Sequence, residues 1–182
     1  MPRPTSLRLA LAAGLIDLAL ALAVIAVRWT HSSIGARRAE GILPTVAFGA
    51  IVAAPGVVAL VGVATRRAVL FAAAAVATAP VAIISIATFP MVVPAGLLIV
   101  AFATSTHQLS SRVPAAAVVL CFAVVLAVAL ALLLTGMRPY SYNLANGGSE
   151  SGDYVPAARA LLCLLVVTLD VAVATASSSP SQ

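Results

Sequence analysis

From Leu9 to Ala176 the sequence is a series of long apolar runs separated by short connections, and the arginines sit almost entirely in those connections. A run of about 20 apolar residues is what an α-helix needs to cross a hydrocarbon core ~30 Å thick. The chain is 63% hydrophobic and 8% charged, with a mean hydropathy of +1.16. A water-soluble domain averages about 45–50% apolar and about 25% charged residues. The pattern predicts an all-α fold: a polytopic transmembrane bundle of about six helices, forming a single integral membrane domain over residues 1–182.

The first run follows Arg3 and Arg8, extends from Leu9 to Val27 and ends at Arg28-Trp29, an interfacial pair. It is longer than the roughly 7–15 residues of a secretory h-region, and it carries Asp17 at its centre. It is therefore expected to be a first membrane helix, over about 7–27, rather than a cleaved leader. The second run, 42–64, has Pro44 near its start, where a missing N–H costs little. Pro55-Gly56 in its middle predicts a kink or short break, and together with Pro80 it makes a set of candidate hinges. From Ala68 to Thr106 the sequence is nearly uninterrupted apolar, with Phe89-Pro90-Met91-Val92-Val93-Pro94 as the natural turn. That division gives a helix at 68–88 and a short one at 92–106, which either crosses in a thinned or tilted setting or re-enters. A polar stretch, Ser105–Arg112, leads into a fifth helix at 113–134 with a serine cap available. Residues 135–155 form a polar, glycine-rich outer loop that cannot sit in lipid. Asp153 is positioned to cap a sixth helix at 156–176.

All ten basic residues are arginine, and with the Ala and Val bias this points to GC-rich codons and a bacterial source. A pI near 10.3 does not imply nucleic acid when the arginines flank a bilayer. The expected partners are lipid and another membrane protein or a second copy. Six crossings with the N-terminus inside place Arg3, Arg8, Arg66, Arg67 and Arg112 on the inner side, and Arg28, Arg37, Arg38, Arg138 and Arg159 on the outer side. The tight Arg66-Arg67 turn is the strongest cytoplasmic signal, and Trp29, Tyr140, Tyr142 and Tyr154 then make an outer aromatic belt. This orientation places the chain in a bacterial inner membrane; five crossings with an outside C-terminus is the alternative topology.

The informative side chains are the acids in apolar runs, because a carboxylate at the bilayer centre costs roughly 2.5–3.5 kcal/mol even on the lenient insertion scale. Asp17 shares its helix face with Ala13, Gly14 and Ala21, small residues that let another helix approach closely. Asp170 lies in the last third of helix six, and the antiparallel first and sixth helices are expected to bring the two acids to similar depth, where they could meet. One reading makes Asp17 and Asp170 a proton or cation site. The other makes Asp17 a neutral, hydrogen-bonded packing residue and lets Asp170 reach water or a partner chain.

Cys121 and Cys163 fall inside apolar runs and read as small buried hydrophobes. They support no disulfide framework or metal motif. His31 and His107 lack ligand spacing for a metal. The hydroxyls of Ser85, Thr88, Thr104, Ser105 and Thr106 are expected to bond backbone freed at kinks and helix ends. No nucleophile–base pair or cofactor motif is visible, so no catalytic, metal or cofactor residue is expected.

The succession of Arg66-Arg67, an apolar run, a Pro-containing turn, the short helix Leu97-Leu98-Ile99-Val100-Ala101-Phe102 and a further basic turn resembles, in layout, the membrane-sensor region of actinobacterial sensor histidine kinases. The resemblance extends loosely over residues 7–176. It implies a stand-alone membrane module without phosphotransfer, since no phosphoacceptor helix or ATP-binding domain follows. Three functions are then open: a non-enzymatic module acting by helix–helix association, as accessory subunit or homo-oligomer; a small proton-coupled transporter using Asp17 and Asp170; and a stand-alone membrane sensor.

Overall fold

The computed structural model describes residues 4–31, 41–84, 92–104, 112–135, 137–143 and 147–177. It contains six helices among the described residues: α1 Pro4–His31, α2 Leu43–Thr65, α3 Ala68–Ile84, α4 Val92–Ala103, α5 Arg112–Thr135 and α6 Ala157–Ser177. Between α5 and α6 lies a hairpin of β1 Arg138–Asn143 and β2 Ser149–Tyr154. The segments Pro4–Thr30, Leu43–Thr65, Ala116–Thr135 and Ala157–Ser177 are long and apolar enough to cross a membrane. α3 and α4 have 17 and 12 residues. At about 1.5 Å of rise per residue, α4 extends only about 18 Å, well short of a ~30 Å hydrocarbon core. The expected turn at 89–91 and the serine cap before α5 lie outside the described residues.

The helices follow a closed circuit, α1–α2–α6–α5–α3–α4, and further contacts of α2 with α3 and, more lightly, with α5 bridge the middle. α2 is therefore central, and its composition fits the position: over half of its most apolar window is buried (56%), against 28% in α1 and α6. The buried side of α2 runs from Pro44, Thr45 and Ala47 through Ile51, Pro55 and Val58 to Gly62. α5 and α6 instead bury one stripe each and leave the other to the surroundings. On α6 the buried stripe is Ala160, Cys163, Val167, Asp170 and Ala174, alternating three and four residues apart, which is the spacing of a single helix face. Leu161, Leu165, Leu169 and Val173 make its exposed stripe.

At Pro55-Gly56 the backbone does not part. α2 is helical without interruption through Pro55-Gly56, so the expected break does not occur there. Pro80 lies inside α3. At the end of α2 the tight turn is made by Arg66 in the left-handed conformation (φ 56°, ψ 41°). Its N–H donates to the Val63 carbonyl at 3.2 Å, and the Arg67 N–H donates to the Gly62 carbonyl at 2.8 Å. These bonds satisfy helix-end carbonyls that have no intrahelical donor. Gly62 is required there because a Cβ would lie 2.9 Å from Leu70 Cβ and from the Phe71 ring, so α3 folds back directly against α2.

The segment expected to be a plain loop is a two-stranded antiparallel hairpin with Arg138 opposite Tyr154, Tyr140 opposite Gly152 and Asn143 opposite Ser149. The Tyr140 ring lies over Gly152, where a Cβ would come within 3.0 Å of it. Asp153 is in β2, opposite Pro139, and does not cap α6. The Pro156 carbonyl begins that helix by accepting from the Arg159 and Ala160 N–H groups. Cys163 is buried as expected, whereas Cys121 is exposed on α5, because its position falls on the outward stripe next to Leu120 and Val124. Thr104 donates to the Val100 carbonyl at 2.9 Å and Thr78 to the Ala74 carbonyl at 2.7 Å, the expected hydroxyl-to-backbone bonding in an apolar setting.

Candidate functional site

α1 and α2 cross as an antiparallel pair, and glycines set how closely they approach. A Cβ on Gly14 would lie 2.9 Å from Leu60 Cγ and 3.0 Å from the Gly56 carbonyl oxygen. A Cβ on Gly56 would lie 2.7 Å from Asp17 Cβ and 2.9 Å from the Gly14 carbonyl oxygen. Gly49 faces Ile25 in the same manner. Farther along the pair, the Arg28 guanidinium sits 5.8 Å from the centre of the Phe48 ring, a cation–π distance. Close backbone approach through small residues is how helices gain packing energy where lipid removes the hydrophobic incentive. The face of Ala13, Gly14 and Ala21 is that contact: Ala13 and Ala21 are 0% and 3% exposed, and all three are spent inside the molecule.

Asp17 sits at the centre of this seam. It is 0% exposed, and neither carboxyl oxygen has a hydrogen-bond partner. Its seat exists because position 56 has no side chain. Leaving a buried polar group unmatched costs about 1–3 kcal/mol in proteins, and far more for an ionised one. The reading of Asp17 as a neutral, hydrogen-bonded packing residue finds no partner for it among the described residues. Pro55-Gly56 is the complement of an acid on the neighbouring helix, and the signal for it was the seven-residue spacing of Gly49 and Gly56, which places both on one face of α2.

Asp170 occupies a different seam. α6 packs on α5 and α2, whereas α1 packs on α2 and α4. The two acids are consequently placed at separate interfaces on either side of α2, and α1 and α6 are not paired neighbours in the circuit. The expected meeting fails because the glycines of α2 take the Asp17 face of α1. Between α5 and α6 the Cys163 thiol donates to the Ala129 carbonyl at 3.5 Å, and Phe122, Leu126 and Leu133 are buried on α5. Toward the start of α5 and the end of α6 the seam widens into a groove of about 160 Å³, lined by Ala117, Cys121, Phe122, Asp170, Val173 and Ala174 among others. Asp170 is 8% exposed, and its Oδ2 has no hydrogen-bond partner. Among the described residues no group of three or more His, Cys, Asp and Glu side chains could hold a metal ion.

No family model matches the chain, and neither a curated protein nor a solved structure is similar to it at a significant level.

Proposed function

We propose that this chain is a non-enzymatic, multi-pass protein of a bacterial inner membrane, with its N-terminus and the Arg66-Arg67 turn on the cytoplasmic side, and that it works as a small proton-coupled transporter through Asp17. The observation that supports this reading is the acid itself: a fully buried carboxyl group at a helix crossing, with no partner for either oxygen. An intramembrane acid is expensive to keep, and one that gains no hydrogen bond in return contributes nothing to packing that a smaller apolar residue would not. A group able to take up and release a proton accounts for its presence. The test is proton flux into liposomes carrying the purified protein under an imposed pH gradient. Flux above that of empty liposomes, abolished by Asp17→Asn in a protein of unchanged fold, is the expected result. Equal flux in the parent and Asp17→Asn liposomes removes the reading.

Association with another membrane protein, or with a second copy, is a second reading. The small-residue face no longer motivates it, but the outward stripes of α5 (Leu120, Val124, Val128, Leu132) and α6 (Leu161, Leu165, Leu169, Val173) are exposed in the single chain. Native mass spectrometry of protein extracted gently from its host membrane decides it: a stoichiometric larger partner assigns the function through that partner.

A further inference from the structure

We infer that the groove between α5 and α6 is a binding site for a protonated lipophilic amine, whose ammonium N–H donates to Asp170. The site lies in a different seam from Asp17 and does not depend on proton coupling there. Its walls are apolar, from Ala117, Val118, Cys121, Phe122, Val173 and Ala174, with the Ser177 side at the rim. Among the described residues of this lining Asp170 is the one charged side chain. Asp170 is 8% exposed as a residue, and its buried Oδ2 accepts no hydrogen bond from the described residues. A ligand that fits must therefore bring an N–H donor, preferably a charged one, since hydrogen bonds between ionised partners are about twice as strong as neutral ones. It must also be apolar elsewhere, because apart from Ser177 the rest of the described lining is apolar.

Size limits the inserted part. A dry cavity of about 150 Å³ holds one benzene molecule, so a groove of about 160 Å³ takes an ammonium group with a few carbons, and the remaining chain leaves along the open side. A phospholipid amine is a poorer fit, because its phosphate would lie against described walls that are apolar.

The two cysteines provide a direct readout. Cys121 lines the groove and is exposed, while Cys163 is buried and its thiol is engaged by the Ala129 carbonyl. The experiment is alkylation of the purified full chain by N-ethylmaleimide in a nonionic detergent, with mass-spectrometric assignment of the modified cysteine. Dodecylamine is the probe, dodecanol its uncharged counterpart, and phosphatidylethanolamine the lipid alternative. Dodecylamine is expected to slow alkylation of Cys121 by about tenfold at saturation, with little effect from dodecanol or phosphatidylethanolamine; Asp170→Asn should weaken dodecylamine binding, measured by calorimetry, about tenfold or more.

Ala117→Trp, at an exposed position on the groove edge, keeps Asp170 and should weaken calorimetric binding by a similar factor through filling alone. It covers the case in which the Asp170 variant does not fold. Equal protection by dodecanol, protection by phosphatidylethanolamine alone, no protection by any probe, or unchanged affinity in a folded Asp170→Asn protein each overturns the site. An Asp17→Asn protein that has lost proton flux is still expected to bind dodecylamine, which separates failure of this site from failure of the transport reading.

Discussion

The α1–α2 and α5–α6 seams are both antiparallel helix pairs with an aspartate in the buried stripe, yet one is sealed and the other is open along part of its length. In the first, Gly14, Gly49 and Gly56 bring the backbones together until Asp17 has no exposed surface. In the second, the Cys163 thiol reaches the Ala129 carbonyl in one half, and Ala117, Cys121, Phe122 and Ala174 border a groove in the other. The same residue type is thus isolated by close approach in one place and presented to a groove in the other. What separates the two is the size of the side chains around the acid, not the acid.

This contrast can be broken most severely at Gly56. Replacing it with Leu drives side-chain atoms into Asp17 and the Gly14 carbonyl, and is expected to abolish folding; Gly56→Ala should cost about 1–3 kcal/mol, the usual range for overpacking. Thermal unfolding in detergent measures both, with Ala117→Leu in the open seam as the comparison at less than about 0.5 kcal/mol. Next comes alkylation of the two cysteines without ligand. Cys163 reacts only when the closed half of the α5–α6 seam separates, so it should be modified roughly a hundredfold more slowly than Cys121. Rates within a few-fold of each other would show that this half is no tighter than the groove.

The acids themselves should answer differently to truncation. Asp17→Ala removes an unmatched carboxyl from a sealed seam that already suits small residues, and is expected to raise stability by about 1–2 kcal/mol, while ending proton flux. Asp170→Ala, with one unmatched oxygen and a groove beside it, should raise stability by a smaller amount, under about 1 kcal/mol. The smallest effect is expected in the hairpin, where Tyr140→Ala uncovers Gly152 at a cost of about 0.5 kcal/mol. Hydrogen exchange of the β1 and β2 amides reads that change.

The helices were legible because their defining signal, a long apolar run bounded by arginine or proline, is local. α2 and α6 begin and end within a residue or two of their expected limits, and α4 is short as the sequence indicates. The use made of Pro55-Gly56 was not legible, because a helix read alone assigns a glycine's effect to its own backbone. At Gly56 the effect belongs to the neighbouring chain segment, through Asp17. The burial of Ala13 and Ala21 followed from their spacing, but whether they met α2 or a partner protein depended on the order of helices around the circuit. That order also decides that Asp17 and Asp170 occupy separate seams, and no periodicity within either helix carries it.

The hairpin is hidden for a different reason: over 135–155 the polar and glycine-rich composition is that of a loop. The alternation of Arg138, Tyr140 and Tyr142 with smaller residues, followed by Asn146-Gly147, is a recognised hairpin signal, and Gly147 has the positive φ (82°) that such turns use.

That hairpin also makes α5 and α6 behave as the arms of a clothes-peg. β1 starts three residues after the last residue of α5, and β2 ends three residues before the first of α6, so the arms are bound together at one end. The groove lies at the other end, among the first turns of α5 and the last of α6. The groove therefore lies at the end of the pair farthest from its covalent tie, where packing on α2 and α3 holds the jaws in place. Shortening the connection would stiffen the jaws, and cutting it would leave the grip to side-chain packing alone.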